Sequence, residues 1–393
     1  MIVAALPFRI ELLFALIIAA GICAFMAERR GWCLSLPGAL LLALSARIAT
    51  AILARPETPF DVARTFLVVA TEISELRDPT LSLSGHQWNF LPPMAYLFWA
   101  ISKIDLPWVD VVKAFPILCD VLNVWLVGIL SPVAFSARRR IVYALHPIAL
   151  ITTAVHGQIE PIALTMLLAG VIFYRRNKDM SAGFAFGFAI ATKTWPILAI
   201  IPVVLRSPKR LLSIALAGGF VVGLFFLSSV VLLGSSASAL AKALASYGSF
   251  AGLWGWAGTL HNFGYTSIWG YDTFVSRPGT LLVIAALLVS LAVFRNASIL
   301  RQTWTALTAA LVVTAGFGPQ YLMWPIPMLT ADGENQIFYS ISATAWMMTF
   351  YLNSSQVDVE QAFLAGLSWV VIAAMVQMLW RAKRENTGEL SVV

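Results

Sequence analysis

Charge is scarce in this chain. Asp, Glu, Lys and Arg make up 11% of its 393 residues, against 60% hydrophobic residues. A soluble domain of that length cannot cover itself with so little polar side chain, so a water-exposed globular fold is excluded and a helical membrane protein is implied. Cysteine is nearly absent. Cys23, Cys33 and Cys119 sit in apolar segments without zinc or redox spacing, and no disulfide framework follows. A Gly-rich phosphate loop, a nucleotide-binding glycine fingerprint and a Ser–His–Asp arrangement are also missing. The four histidines (His86, His146, His156 and His261) are scattered and form no metal motif.

Sixteen of the 26 Lys and Arg lie in short clusters at Arg29-Arg30, Arg138–Arg140, Arg175–Lys178, Arg206–Arg210, Arg295–Arg301 and Arg381–Arg384, in a chain of net charge +7. That distribution reads as cytoplasmic loop ends of membrane spans and not as a nucleic-acid surface. Residues 10–27 form a first helix and 34–53 return outward, which puts the amino terminus outside. Glu11 and the Glu28-Arg29-Arg30 flank predict a retained helix and not a cleaved signal peptide. Two exported loops follow, at about 55–90 and 234–276. Within the first, Asp61 to Leu76 mixes apolar and charged residues at helical spacing, which predicts a helix lying along the membrane surface. Helices near 92–104 and 109–131 lead inward, the first of them short. The chain then rises from 141 to His156, descends from 161 to 174, runs outward over 211–233 and back over 278–294. Helices near 337–352 and 363–381 end it, and residues 1–393 read as one membrane domain.

Two stretches do not fit simple spans. Residues 181–205 have basic clusters at both ends, yet 25 residues cannot cross and return, since one span takes roughly 20. Two half-length helices meeting near Thr192-Lys193-Thr194-Trp195-Pro196 satisfy both constraints. Residues 303–330 repeat the pattern, with a break at Gly318-Pro319-Gln320. Broken backbone at membrane depth is tolerated where it is buried or lines a cavity.

The polar residues at these places are the site candidates. His156, Gln158 and Glu160 crowd one short outward turn, where ionisable groups are costly and face a cavity or a partner. They lack the second imidazole that a zinc site would need. Lys193, at a helix break and far from either basic cluster, suits an anionic headgroup such as phosphate; otherwise it snorkels from a helix end. Asp61 is either a solvated surface acid or a general base near the interface, with Glu57 one turn earlier in reserve. Gln320 follows a proline that is also able simply to kink a helix. His261, in the second exported loop, joins the substrate-binding candidates. Trp88, Trp99, Trp195, Trp254, Trp256, Trp269 and Trp324 fall near the outer-face breaks, as an aromatic belt or as surfaces for isoprenoid and sugar.

Taken in order, four stretches resemble the GT-C superfamily of polyprenol-dependent glycosyltransferases. They are Phe60-Asp61 followed by Phe90-Leu91-Pro92-Pro93, then His156-Gly157-Gln158-Ile159-Glu160, then Ala191-Thr192-Lys193-Thr194-Trp195-Pro196, and last Gly318-Pro319-Gln320-Tyr321-Leu322-Met323-Trp324-Pro325. Within it the chain resembles bacterial polyprenyl-phosphate-mannose mannosyltransferases and the first mannosyltransferase of GPI-anchor assembly. The resemblance implies an all-α polytopic fold with about 10–13 transmembrane or half-membrane helices and amphipathic helices in exported loops. It implies an inverting transfer, usually of mannose, from a polyprenyl-phosphate donor to a lipid-linked or glycan acceptor on the exported face of a bacterial plasma membrane. No cofactor, metal or nucleic acid is implied. Asp61 would deprotonate the acceptor hydroxyl; Lys193, His156 and Gln320 would hold the leaving phosphate; Gln158 and Glu160 would bind hydroxyls. The family often pairs a second acid with the first aspartate, whereas Phe60 and Val62 flank Asp61 here, and its His-Gly-Gln stretch ends in Asp where this chain has Glu160.

The rival class is a secondary transporter or a flippase of a lipid-linked sugar, since broken helices and buried charge occur there too. Transporters usually show matched inverted halves. Here the two broken stretches are not equivalently placed, and the large exported loops suit catalysis on that side.

Overall fold

The computed structural model describes residues 8–83, 88, 90–245, 252–265, 273–353 and 361–386. His86 and Trp269 lie outside them. Among the described residues the elements are all helical. The chain opens with α1 (Arg9–Arg30) and α2 (Leu36–Leu53). Gly31 ends α1 in the left-handed region (φ 67°), where a Cβ would be strained, and Arg29 and Arg30 sit at its carbonyl end. A π-helical turn (Asp61–Thr65) leads into α3 (Phe66–Ser74), followed by α4 (Pro79–Ser82), α5 (Pro93–Ile101) and α6 (Trp108–Leu130). Next come α7 (Ser136–Ala144), α8 (Pro147–Leu150), a second π-helical turn (Ile151–His156), α9 (Glu160–Arg175), α10 (Asp179–Thr192), α11 (Pro196–Leu205) and α12 (Pro208–Leu232). The rest is α13 (Ala237–Ala245), α14 (Gly255–Asn262), α15 (Thr273–Val293), α16 (Ile299–Val313), a 3-10 turn (Pro319–Met323), α17 (Ile326–Asp332), α18 (Ile337–Asn353) and α19 (Gln361–Asn386).

Among the described residues five helices, α1, α2, α6, α12 and α19, are long and apolar enough to cross a membrane. On α12, Leu212, Leu216, Phe220, Leu224, Leu227 and Val231 form an exposed apolar stripe that bilayer hydrocarbon would cover. Its other face packs on α10 at very short range. A Cβ added to Gly187 would come within 2.6 Å of the Gly218 carbonyl, and one added to Gly183 within 2.5 Å of the Ile214 carbonyl. Small residues four apart allow such backbone contact between membrane helices.

Both broken stretches take the expected form. Helix α10 ends at Thr192, Lys193 is extended (φ −151°, ψ 149°), and α11 begins on Pro196. After α16, Gly318 is extended and the chain enters the 3-10 turn before α17. The structure adds three details. Helix α5 has nine residues, about 14 Å, and cannot span a bilayer. The rise from 141 to His156 is broken at Pro147, which lacks an N–H. Helix α3 forms, but its apolar face packs on protein: the Phe66 ring stacks on Phe98 of α5 at 4.5 Å, with Trp88 against both.

Candidate active site

The turn after His156 organises the site. Gly157 adopts φ 87° and ψ 29°, and a Cβ there would lie 2.8 Å from Cγ of Lys113. The Thr152 carbonyl accepts both Gly157 N and Gln158 N at 3.2 Å, so the chain doubles back within two residues. His156 and Gln158 are thereby presented side by side, with Gln158 Nε2 2.8 Å from His156 Nε2.

Asp61 comes to them from the first π-helical turn. His156 Nε2 lies 3.1 Å from its Oδ2 and 3.2 Å from its Oδ1. Gln158 Nε2 donates to Oδ2 at 2.5 Å, and the Val62 N–H donates to Oδ1 at 2.9 Å. On the far side of the imidazole, the Tyr351 hydroxyl is hydrogen-bonded to Nδ1. The imidazole is thus held from both sides, by the Tyr351 hydroxyl at Nδ1 and by Asp61 and the Gln158 amide at Nε2. Burial raises the Asp61 carboxyl, but the charge and hydrogen bond of His156, the Val62 N–H and the charge of Lys193 together hold it below its ordinary value. Its side chain remains 41% exposed, so an ionised carboxylate faces open space and is able to accept a proton from a bound hydroxyl.

The other carboxylates near the site are engaged. Glu57, the reserve base, pairs with Arg9 at 2.6 Å. Glu160 pairs with Lys193 at 2.5 Å, with side-chain exposures of 0% and 6%. Lys193 is therefore a paired cation and not a free one, although its ammonium also stands over the Phe90 ring at 5.3 Å. The arginines nearest to Asp61 in sequence go elsewhere: Arg64 lies over Phe60, and Arg77 pairs with Glu72 and Glu75.

The two helix breaks meet in space. Trp195 and Trp324, each followed by proline, stack at 4.6 Å with planes 11° apart, and Tyr321 stacks on Trp324 at 4.2 Å. Gln320 folds back over Gly318, and its Oε1 is buried without a partner. Trp254 is core, stacked on Phe317 at 3.8 Å. His261 stands on α14 and is hydrogen-bonded to Gln361 at 3.0 Å, a partner outside the group around Asp61.

Sequence reading missed the scaffold beneath the turn. Along α6, Lys113, Asp120 and Asn123 make one buried polar stripe. Lys113 Nζ donates to the carbonyls of Ala154 (3.1 Å) and Val155 (2.8 Å). Asp120 accepts from Arg47 Nε (2.7 Å), Tyr143 (2.6 Å) and Thr153 (3.0 Å), while Asn123 Nδ2 donates to the Pro161 carbonyl at 3.2 Å. Both limbs of the turn are thus clamped from one helix. The available signal was three polar residues at helical spacing in an otherwise apolar span. Tyr351 gave none, being one tyrosine at the end of an apolar helix.

An all-α bundle with two broken spans converging on a carboxylate–imidazole centre is of the GT-C type, the architecture of integral membrane glycosyltransferases. The chain belongs to glycosyltransferase family 87, whose family model matches residues 90–325. It is accordingly a membrane glycosyltransferase. Asp61 and Tyr351 lie outside the matched stretch. No curated protein and no solved structure matches the chain.

Proposed function

We propose that the protein transfers a sugar, mannose by resemblance, from a polyprenyl-phosphate donor to a lipid-linked or glycan acceptor, with inversion, on the exported face of the membrane. One observation carries the reading: Asp61 is a half-exposed carboxylate oriented by His156 and Gln158, while Glu57 and Glu160 are each tied to a cation. Among the described residues near the site, Asp61 is the carboxylate not tied to a cation, which fits a single displacement without a second acid as nucleophile. Asp61 takes the acceptor's hydroxyl proton as that oxygen bonds to the anomeric carbon. The bond from that carbon to the phosphate oxygen breaks, and polyprenyl phosphate leaves. The Lys193–Glu160 pair lies beside Phe90, and Lys193, whose charge acts on Asp61, is the candidate to bear on the leaving phosphate. The exported face is supported by the basic clusters, which gather at the helix ends away from this turn.

The test is a reconstituted transfer assay with purified protein, a short-chain polyprenyl-phosphate mannose and a nucleotide-linked mannose as rival donors. Transfer from the lipid donor alone, with the opposite anomeric configuration in the product, is expected. Transfer from the nucleotide sugar alone would overturn the donor assignment.

A further inference from the structure

A second polar constellation lies at the other end of the bundle. Helix α1 has its Arg9 end beside the site, where Arg9 pairs with Glu57, and its Glu28 end beside α7, where Arg139 pairs with Glu28 at 2.5 Å. Between α1, the α7–α8 junction and α18 runs a groove of about 1190 Å³. Its α1 wall is apolar, with Ile18, Ile22 and Phe25. The facing wall is not. Gln336, Ser340 and Thr344 follow one another at four-residue intervals on one face of α18 and its lead-in, and His146 stands beside them, its Nε2 3.1 Å from Ser340 Oγ.

This wall is under-satisfied. His146 Nδ1, Gln336 Oε1, Thr344 Oγ1 and Arg139 Nε are buried without a hydrogen-bond partner. Each such group costs free energy in a low-dielectric setting, and these four line the same groove. Their chemistry is mixed: Gln336 Oε1 needs a donor, Arg139 Nε needs an acceptor, and the threonine and imidazole serve either way. Exposed Arg29 adds a second cation to the groove lining, which also holds the carboxylates of Glu28, paired with Arg139, and Glu334.

From this wall we infer that the groove binds a lipid whose headgroup carries both a phosphate and several hydroxyls, phosphate toward Arg29 and Arg139, hydroxyls along His146, Gln336, Ser340 and Thr344. A bare hydrocarbon chain would leave the ladder unpaired, and a choline headgroup brings no donor for Gln336. The hydrocarbon part of the ligand covers Ile18, Ile22 and Phe25. The site is separate from the one around Asp61 and does not depend on the donor assigned above. The groove is continued past Phe14, Ile17 and Met348 by a small crevice that ends on Val155 and Tyr351, so an occupant's tail points toward the residue that holds His156.

Native mass spectrometry of the intact protein in detergent, titrated with phosphatidylinositol, phosphatidic acid and phosphatidylcholine, tests this. Phosphatidylinositol should bind tightest and phosphatidylcholine weakest. Thr344→Val keeps shape and loses no partner, so folding is preserved; it should weaken phosphatidylinositol binding about fivefold and leave phosphatidic acid nearly unchanged. Arg29→Gln should weaken both anionic lipids together. Equal binding of the three lipids, or a Thr344→Val variant that binds phosphatidylinositol like the wild type, would overturn the assignment.

Discussion

Asp61 and His156 are 95 residues apart in sequence, yet the Nε2 of one lies 3.1 Å from the carboxylate of the other. The contact joins the first π-helical turn to the end of the second. It converts two isolated polar residues into one hydrogen-bonded centre.

Replacing Asp61 by Asn should cut turnover by about 10²–10⁴ while donor binding persists. Stability should change by no more than about 0.5 kcal/mol, because the side chain is half exposed and an amide keeps its shape. Transfer assays with folded variant, alongside Glu57→Gln, are the measurement. Near-normal transfer by Asp61→Asn would move the base elsewhere, while Glu57→Gln should lose only its pairing with Arg9.

Tyr351→Phe removes the hydroxyl at His156 Nδ1 and keeps the ring packing. The imidazole then loses a hydrogen bond that fixes its orientation, so kcat should fall roughly tenfold with KM nearly unchanged and with a changed pH profile of the rate. A rate and pH profile identical to wild type would reduce Tyr351 to packing.

Breaking the Lys193–Glu160 pair from one side should cost more than removing both charges. Lys193→Met alone strands a buried carboxylate, a loss of about 3–5 kcal/mol, whereas Lys193→Met with Glu160→Gln should recover most of it. Thermal unfolding of the two single variants and the double variant in detergent reads the coupling. Additive losses would mean that the pair is not a unit.

Glu334, in the turn between α17 and α18, has its carboxyl pushed up to about 7 by burial and by the Glu385 carboxylate, with Arg301 offsetting part of the shift. The folded chain thus holds this proton more tightly than the unfolded one. The resulting stability is complete below the unfolded value of about 4.3 and is lost as pH rises through about 7. Wild-type protein should therefore melt lower at about pH 8 than at about pH 5.5, and Glu334→Gln should narrow that gap. An unchanged gap in the variant would assign the pH dependence to other groups.

The native cysteines report topology directly. Cys33 is exposed in the turn after Arg29-Arg30, and Cys119 is buried. In a Cys23→Ser background, an impermeant maleimide should label Cys33 in inverted vesicles and not in intact cells. Labelling from outside would turn the whole arrangement over.

Much of this protein was decided by its sequence alone. Residues 181–205 are too short to cross twice and carry basic ends on one side, so a break near Lys193 followed from length and charge before any packing was known. The polar turn from His156 to Glu160 stood out because ionisable groups are rare in apolar surroundings. Which groups pair was another matter. Helical periodicity says which face of a segment is apolar, but not which neighbour it meets. That Lys193 neutralises Glu160, that Tyr351 reaches His156, and that Arg47 and Asp120 meet in the core depend on the docking of helices distant in the chain. The same holds for Trp195 and Trp324, whose similar flanking residues hinted at nothing about stacking. Burial makes an unpaired charge costly, so the tertiary structure had to supply partners, and only the packing of the whole bundle determined which ones.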